Sequence, residues 1–176
     1  MKFLKILLII IASLVVLSLI ITALLPSEAD VERSVEINAP AKVTFELVNS
    51  LKNREKWSPW FAMDPNGEYK YSGNESGKGC IQSWNSDNQN VGKGQMEIIE
   101  SVQYKSIKTK LTFFGQDFGK GSWTFDEKDG VTLVTWSLHY ELSFFMRWLG
   151  FGMDAMMGKT FENGLNKIKE IAESTA

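Results

Sequence analysis

Residues 131–142 read Val-Thr-Leu-Val-Thr-Trp-Ser-Leu-His-Tyr-Glu-Leu, and residues 153–173 read Met-Asp-Ala-Met-Met-Gly-Lys-Thr-Phe-Glu-Asn-Gly-Leu-Asn-Lys-Ile-Lys-Glu-Ile-Ala-Glu. In the first stretch Val134, Trp136, Leu138, Tyr140 and Leu142 alternate with Thr135, Ser137, His139 and Glu141. A period of two belongs to a strand with one apolar and one wet face. In the second, Met153, Met156, Met157, Phe161, Leu165, Ile168 and Ile171 recur three or four apart, with Lys159, Glu162, Lys169 and Glu170 off the stripe. That is an amphipathic helix. Neither element can bury its apolar side alone, so together they predict a sheet covered by the helix Met153–Glu173. Gly158 and Gly164 inside this helix each cost about 1 kcal/mol against Ala. They predict close approach to the sheet, or to something held beneath it.

The same alternation sets Ile107, Leu111 and Phe113 against Lys108, Lys110 and Thr112. Strand-like stretches run over Glu68–Ser72, Cys80–Asn85, Gln95–Val102, Ser106–Phe114, Ser122–Glu127 and Val131–Leu142, separated by Gly, Asn and Asp clusters that supply turns. Consecutive strands with short connections predict an antiparallel meander. Upstream, Val31, Arg33, Val35 and Ile37 alternate through another strand, Asp30–Ile37. Asn38 is expected to cap a helix with Pro40 in its first turn, bearing Val43, Leu47, Val48 and Leu51. Ser50–Asp64 reads as a short helix or loop. The fold class is α+β: a curved antiparallel sheet of about seven strands wrapped around a long C-terminal helix.

Ile6–Leu25 is an uncharged run of 20 residues, broken only by Ser13, Ser18 and Thr22. At 1.5 Å per residue, about 20 apolar residues span a hydrocarbon core of roughly 30 Å. Lys2 and Lys5 precede the run; Glu28, Asp30 and Glu32 follow it. The positive-inside rule predicts a cytoplasmic N-terminus and an extracytoplasmic domain. The rival is a cleaved signal peptide with Ser27-Glu28-Ala29 as the site. Signal h-regions run about 7–15 residues, and Pro26 and Glu28 make a poor cleavage context. The expected organisation is a transmembrane anchor over 1–26 and one domain over 27–176.

The 176 residues carry 19 Lys and Arg against 21 Asp and Glu, one His and one Cys. This balance shows no basic footprint for nucleic acid. Without Lys2 and Lys5, the remainder carries about −4, so charge does not hold it to anionic lipid. Cys80 alone excludes an intrachain disulfide and any CxxC motif. No metal site and no cofactor are expected. The excess is aromatic, with 11 Phe, 6 Trp and 4 Tyr, which favours a pocket or a large aromatic core.

Several pieces then occur in order: Trp57-Ser58-Pro59-Trp60, Asp64-Pro65, Tyr69 and Tyr71, Ser72-Gly73, Gly77-x-Gly79, Trp84, Val91-Gly92-Lys93-Gly94, Val134-Thr135-Trp136, and Met153-Asp154 through Gly158-Lys159-x-Phe161-Glu162-x-Gly164-Leu165. Their order and spacing, over roughly Val31–Ala172, resemble the START-like helix-grip (SRPBCC) superfamily in its polyketide cyclase/dehydrase and lipid-transport branch. The resemblance implies a deep cavity between sheet and long helix for hydrophobic or aromatic small molecules. It implies no single reaction, because members include carriers, receptors and cyclases.

The candidate ligand cavity comprises Trp57, Trp60, Trp84, Trp123, Trp136, Tyr140, Met153, Met156, Met157 and Phe161, whose aromatic and thioether side chains combine large contact area with adaptable packing. The plainer reading of each is core filling. His139 falls on the wet face of its strand. Glu100 shares the parity of Met96 and Ile98, which would turn it inward as a general base or ligand anchor; a strand-end position reaching solvent is the alternative. Cys80 reads as a buried structural thiol, Gly92-Lys93-Gly94 as a turn, and Ser58 lacks a GxSxG context.

The leading expectation is membrane-tethered binding of a small hydrophobic or lipid-like molecule, with no recognisable catalytic motif. One alternative is a cyclase, dehydratase or hydrolase acting on an aromatic or polyketide-like substrate through inward Glu100, Tyr140 or Gln82. The other is an interaction domain with a vestigial cavity, presenting Phe144, Phe145, Trp148 and Phe151 to a membrane or protein.

Overall fold

The computed structural model describes residues 2–175, with the side chains of Lys2, Leu149 and Phe151 outside the description. Helix α1 spans Lys2–Leu24. Three residues later strand β1, Glu28–Ile37, begins, and helix α2 follows over Ala41–Asn49. A 3-10 turn at Leu51–Asn53 leads into two short helices, α3 (Arg54–Trp57) and α4 (Pro59–Met63). The meander then runs through β2 (Glu68–Gly73), β3 (Cys80–Asn85), β4 (Lys93–Val102), β5 (Ser106–Phe113), β6 (Gln116–Lys128) and β7 (Val131–Glu141). A second 3-10 turn, Phe144–Leu149, opens helix α5, Gly150–Glu173.

All seven strands form one antiparallel sheet in the order β1-β7-β6-β5-β4-β3-β2. Helix α5 lies over β1 and β7, and α2 packs over β6 and β7. This is the α+β helix-grip architecture. On β7, Val134, Trp136, Leu138 and Tyr140 are buried beneath the helices, as alternation requires, and His139 stands on the other face with Nδ1 2.8 Å from Asp30 Oδ1.

Three local details depart from the sequence reading. Asn38 does not cap α2. Its backbone N–H and side-chain amide both donate to Glu173 Oε1, tying the end of β1 to the end of α5. Pro40 takes the N-cap position, and the free N–H of Ala41 donates to Glu127 Oε2 at 2.8 Å. A distant carboxylate thus meets the exposed amide and the positive end of the helix. Strand β6 also begins six residues before Ser122. Gly119, which reads as a turn residue, is a ladder position where a Cβ would lie 2.5 Å from the carbonyl oxygen of His139. Finally, the register of β4 against β5 slips between Ile98 and Glu100. This bulge reverses the parity of the strand beyond it.

The two helical glycines have separate causes. At Gly164 a Cβ would sit 3.0 Å from Trp136 and 3.2 Å from Pro59, so hydrogen there lets α5 lie on the aromatic face. At Gly158 a Cβ would overlap the guanidinium of Arg33, which rises from β1 into the gap. Asp154 and Glu162, four residues either side of Gly158, share its helix face. Arg33 Nη1 and Nη2 donate to the two Asp154 carboxylate oxygens at 2.8 and 3.1 Å, and Nε donates to Glu162 at 3.2 Å.

This fork holds the Asp154 carboxyl below the ordinary aspartate range, chiefly through the hydrogen bonds from Arg33. A depressed folded-state pKa stabilises fully above the unfolded value, about 4, and the contribution is lost as pH falls through the folded value. The urea midpoint is therefore expected to decline below about pH 4, with a shallower decline in Asp154→Asn. Parallel acid curves for the two proteins would remove Asp154 from the linkage.

Candidate ligand cavity

Between the sheet, α3, α4 and the first half of α5 lies a cavity of about 420 Å³. The strands supply inward positions from Gln82 and Trp84 on β3 round to Trp136 and Leu138 on β7. The helices add Arg54, Ser58, Trp60 and Phe61 from one side and Met153, Met156, Met157 and Phe161 from the other. Three lining residues are nevertheless exposed: Asn90, Phe114, at 74%, and Met156, at 65%. They mark the mouth, between the β3–β4 connection, the β5–β6 hairpin and the first turns of α5.

Of the ten candidates, Trp60, Trp84, Trp136, Met153, Met156, Met157 and Phe161 line this space, whereas Trp57, Trp123 and Tyr140 do not. Trp136 is stacked between Trp123 and Phe161, with ring centroids 4.4 and 3.9 Å away. Trp57 sets its edge against both Trp123 and Trp136 and donates Nε1–H to the Leu47 carbonyl at 3.0 Å. Tyr140 lies parallel to Phe118, which itself reaches the cavity. Parity places Trp123 and Tyr140 on the apolar face of their strands and Trp57 packs onto that face from α3, but only the second layer of packing decides which of them front the space.

The polar candidates separate as sharply. Beyond the bulge Glu100 is exposed, accepting from Lys108 Nζ at 3.0 Å, so it supplies nothing inward. Tyr140 Oη is buried without a partner but away from the cavity lining. Cys80 is buried with its thiol directed at the Glu75 carbonyl. Gln82 alone of the inward polar trio fronts the cavity. It accepts a hydrogen bond from Arg54 Nη1 and donates Nε2–H to Tyr71 Oη at 2.9 Å. Tyr71 donates onward to Glu55 Oε1 at 2.7 Å.

Sequence reasoning missed Arg54, and it set Ser58 aside for want of a GxSxG context although Ser58 lines the cavity. Arg54 is three residues before Trp57 and four before Ser58, on the helix face that turns inward; that spacing was the available signal. Arg54 is only 8% exposed, and its Cζ lies 5.9 Å from the centre of the Trp84 ring. Burial pushes its pKa down to about 10, with nearby Tyr71 and Tyr69 opposing the shift, so it stays cationic at neutral pH. Thr109 was also legible as a polar residue between inward Ile107 and Leu111, and it too lines the cavity.

A seven-stranded sheet closed over by its last helix around a largely apolar hollow is the helix-grip class of α+β domain. The family model for "Polyketide cyclase / dehydrase and lipid transport" matches residues 28–173, and the chain belongs to this family. Among solved structures, it resembles TTHA0849 from Thermus thermophilus with a TM-score of 0.59 and 20% identity, covering 84% of this chain and 99% of that one. It also resembles DynU16, a protein in the dynemicin biosynthetic locus, with a TM-score of 0.59 and 12% identity over 83% of this chain. A third likeness is to the di-domain ARO/CYC BexL from the BE-7585A biosynthetic pathway, with a TM-score of 0.59 and 14% identity over 84% of this chain. The chain spans 48% of DynU16 and 50% of BexL. These likenesses show the fold. A search among curated proteins finds no match.

Proposed function

We propose that this chain is a membrane-tethered domain that encloses a small hydrophobic molecule between its sheet and α5. The observation that carries this reading is the cavity itself: about 420 Å³, walled largely by aromatic, Leu and Met side chains, with exposed Asn90, Phe114 and Met156 at its mouth. Burying about 300 Å² of ligand apolar surface contributes on the order of 7 kcal/mol before the losses on association. The Phe144–Leu149 turn and the start of α5, flanked by Gly150 and Gly152, carry the wall that opens.

The tether reading rests on α1, which is long and apolar enough to cross a membrane and has almost no buried side chain. Its end is held by the same turn. Arg147 Nη1 reaches the carbonyl oxygens of Thr22, Ala23 and Leu25 at 3.3–3.4 Å, and Trp148 donates Nε1–H to Thr22 Oγ1 at 2.7 Å. A cation and an indole at the last turn suit a helix leaving a bilayer. Phe145, 80% exposed beside them, would enter the interface. Under this reading the N-terminus is cytoplasmic and the domain extracytoplasmic.

The test is native mass spectrometry of the full chain, extracted in mild detergent from its source. A reproducible added mass is expected, lost on unfolding and recovered in organic solvent. Met157→Trp, which fills the cavity from α5, is expected to lose at least nine-tenths of it. An added mass unchanged in Met157→Trp would place the molecule elsewhere and overturn the reading. The rival, an enzyme of cyclase or dehydratase type, draws on Arg54 and Gln82 in the wall. It would show as extracted molecules of altered mass when a polyketide-like substrate is supplied.

A further inference from the structure

Arg54 is a buried cation with no carboxylate partner among the described residues. Its one hydrogen-bonded side-chain partner is the neutral amide of Gln82, the nearby Glu55 carboxylate being taken up by Tyr71. Arg54 Nε lies buried with no hydrogen-bond acceptor. One turn on, Ser58 is 3% exposed and its Oγ is likewise buried without a partner. Both residues line the cavity, and Gln82, 1% exposed, closes the same end. A buried polar atom without a partner costs roughly 1–3 kcal/mol, and an uncompensated buried charge costs more. Two such atoms on one turn, in a hollow walled mostly by apolar side chains, mark the place of a missing acceptor.

We propose that the molecule enclosed here is an amphipathic monocarboxylate, its acid group accepting from Arg54 and Ser58 and its apolar body lying among Trp60, Trp84, Met96 and Phe161. This rests on the reading of the cavity as a ligand site and names the class of ligand. The planar guanidinium matches a carboxylate in shape and in charge, one cation to one anion. A phosphate monoester would bring up to a second negative charge with no second cation on the lining. The hydroxyl of Ser58 supplies a further donor to the same group. Gln82, locked between Arg54 and Tyr71, holds the guanidinium in place.

The test compares decanoate, decanamide and decyl phosphate on the full chain in mild detergent, read by quenching of the cavity tryptophans. Decanoate is expected to bind at least tenfold more tightly than decanamide. Arg54→Gln is expected to abolish that preference, bringing the affinities for decanoate and decanamide within about twofold of each other. Because Arg54→Gln disturbs a buried network, Ser58→Ala serves as the second variant. It keeps the cation and is expected to weaken decanoate about threefold to tenfold, and decanamide by less, because a bond to a charged acceptor is the stronger. Equal binding of decanoate and decanamide by the parent chain overturns the carboxylate assignment and leaves the cavity reading standing. Tighter binding of decyl phosphate overturns it in favour of a phosphate head. Failure of all three to bind overturns the cavity reading as well.

Discussion

Replacing Trp136 with alanine is expected to lower the unfolding free energy by about 3–5 kcal/mol, the range for emptying a buried aromatic site. At roughly 2–4 °C per kcal/mol for a domain of this size, the melting temperature should drop by about 10 °C. The reason is position. The Trp136 ring is sandwiched between Trp123 on β6 and Phe161 on α5, and it takes the edges of Trp57 from α3 and Trp60 from α4. One side chain therefore joins the sheet to both helical coverings. Aromatic pairs add about 0.5–1.5 kcal/mol each beyond area burial, so the loss falls towards the upper end. Trp60→Ala, at the half-buried rim of the same cluster, should cost clearly less. Denaturant midpoints for the three proteins decide it: a loss below about 1 kcal/mol for Trp136→Ala, far under the usual cost, would mean this stack does not fasten α5 to the sheet.

The double change Leu14→Arg with Leu17→Arg should release the protein from membranes. Each arginine near the centre of a spanning helix costs about 2.5–3.5 kcal/mol on insertion scales, and together they outweigh the contribution of several leucines. The parent chain is expected to stay in the membrane pellet after an alkaline carbonate wash, and the variant to move to the supernatant. Intact mass of the parent, measured alongside, should include Met1–Ala176 or lose only the initiator Met. A mature chain beginning after Ala29 would identify a signal peptide and sink the tether. A reporter fused after Ala176 that works only in the cytoplasm would reverse the orientation.

The turn that holds the end of α1 through Arg147 and Trp148 runs directly into α5, whose first turns carry Met153 and Met156 at the cavity. Only three residues separate α1 from β1, a reach of about 10 Å at full extension. Under the tether reading the mouth and the bilayer surface are thus linked through one short segment. A ligand that partitions into lipid would meet the opening without crossing bulk water. Phe151, one of four residues assigned to this surface from sequence, has its side chain outside the described structure; Phe145 and Trp148 are exposed there.

Much of the fold was legible because its signals are local. The alternation of Val134, Trp136, Leu138 and Tyr140 and the stripe Met153–Ile171 each state which side of an element must leave water, and the structure turns those sides inward except at Met156, which stays exposed at the mouth. Glu100 shows where this logic stops. Its parity with Ile98 pointed inward, but the bulge at Ile98/Glu100 is a property of how β4 meets β5 and leaves no mark in β4 alone. The same holds for Asn38, a good cap residue by type, drawn instead to Glu173 at the far end of the chain.

The sequence by itself determined the element types, the apolar helix at the N-terminus and the pairing of a meander with a covering helix, since hydrophobic period acts within a dozen residues. It also marked Gly158 and Gly164 as places of close approach, because glycine in a helix costs stability wherever it occurs. Only the tertiary structure decided that Arg33 fills one of these gaps and the Trp136 face the other. It likewise decided that Trp57 and Trp123 sit behind the cavity wall, and that Arg54 and Ser58 meet at one end of the hollow. Those outcomes depend on which atoms occupy the volume between elements far apart in the chain. Whether a buried polar atom has a partner is settled in that volume, and residue order alone carries no record of it.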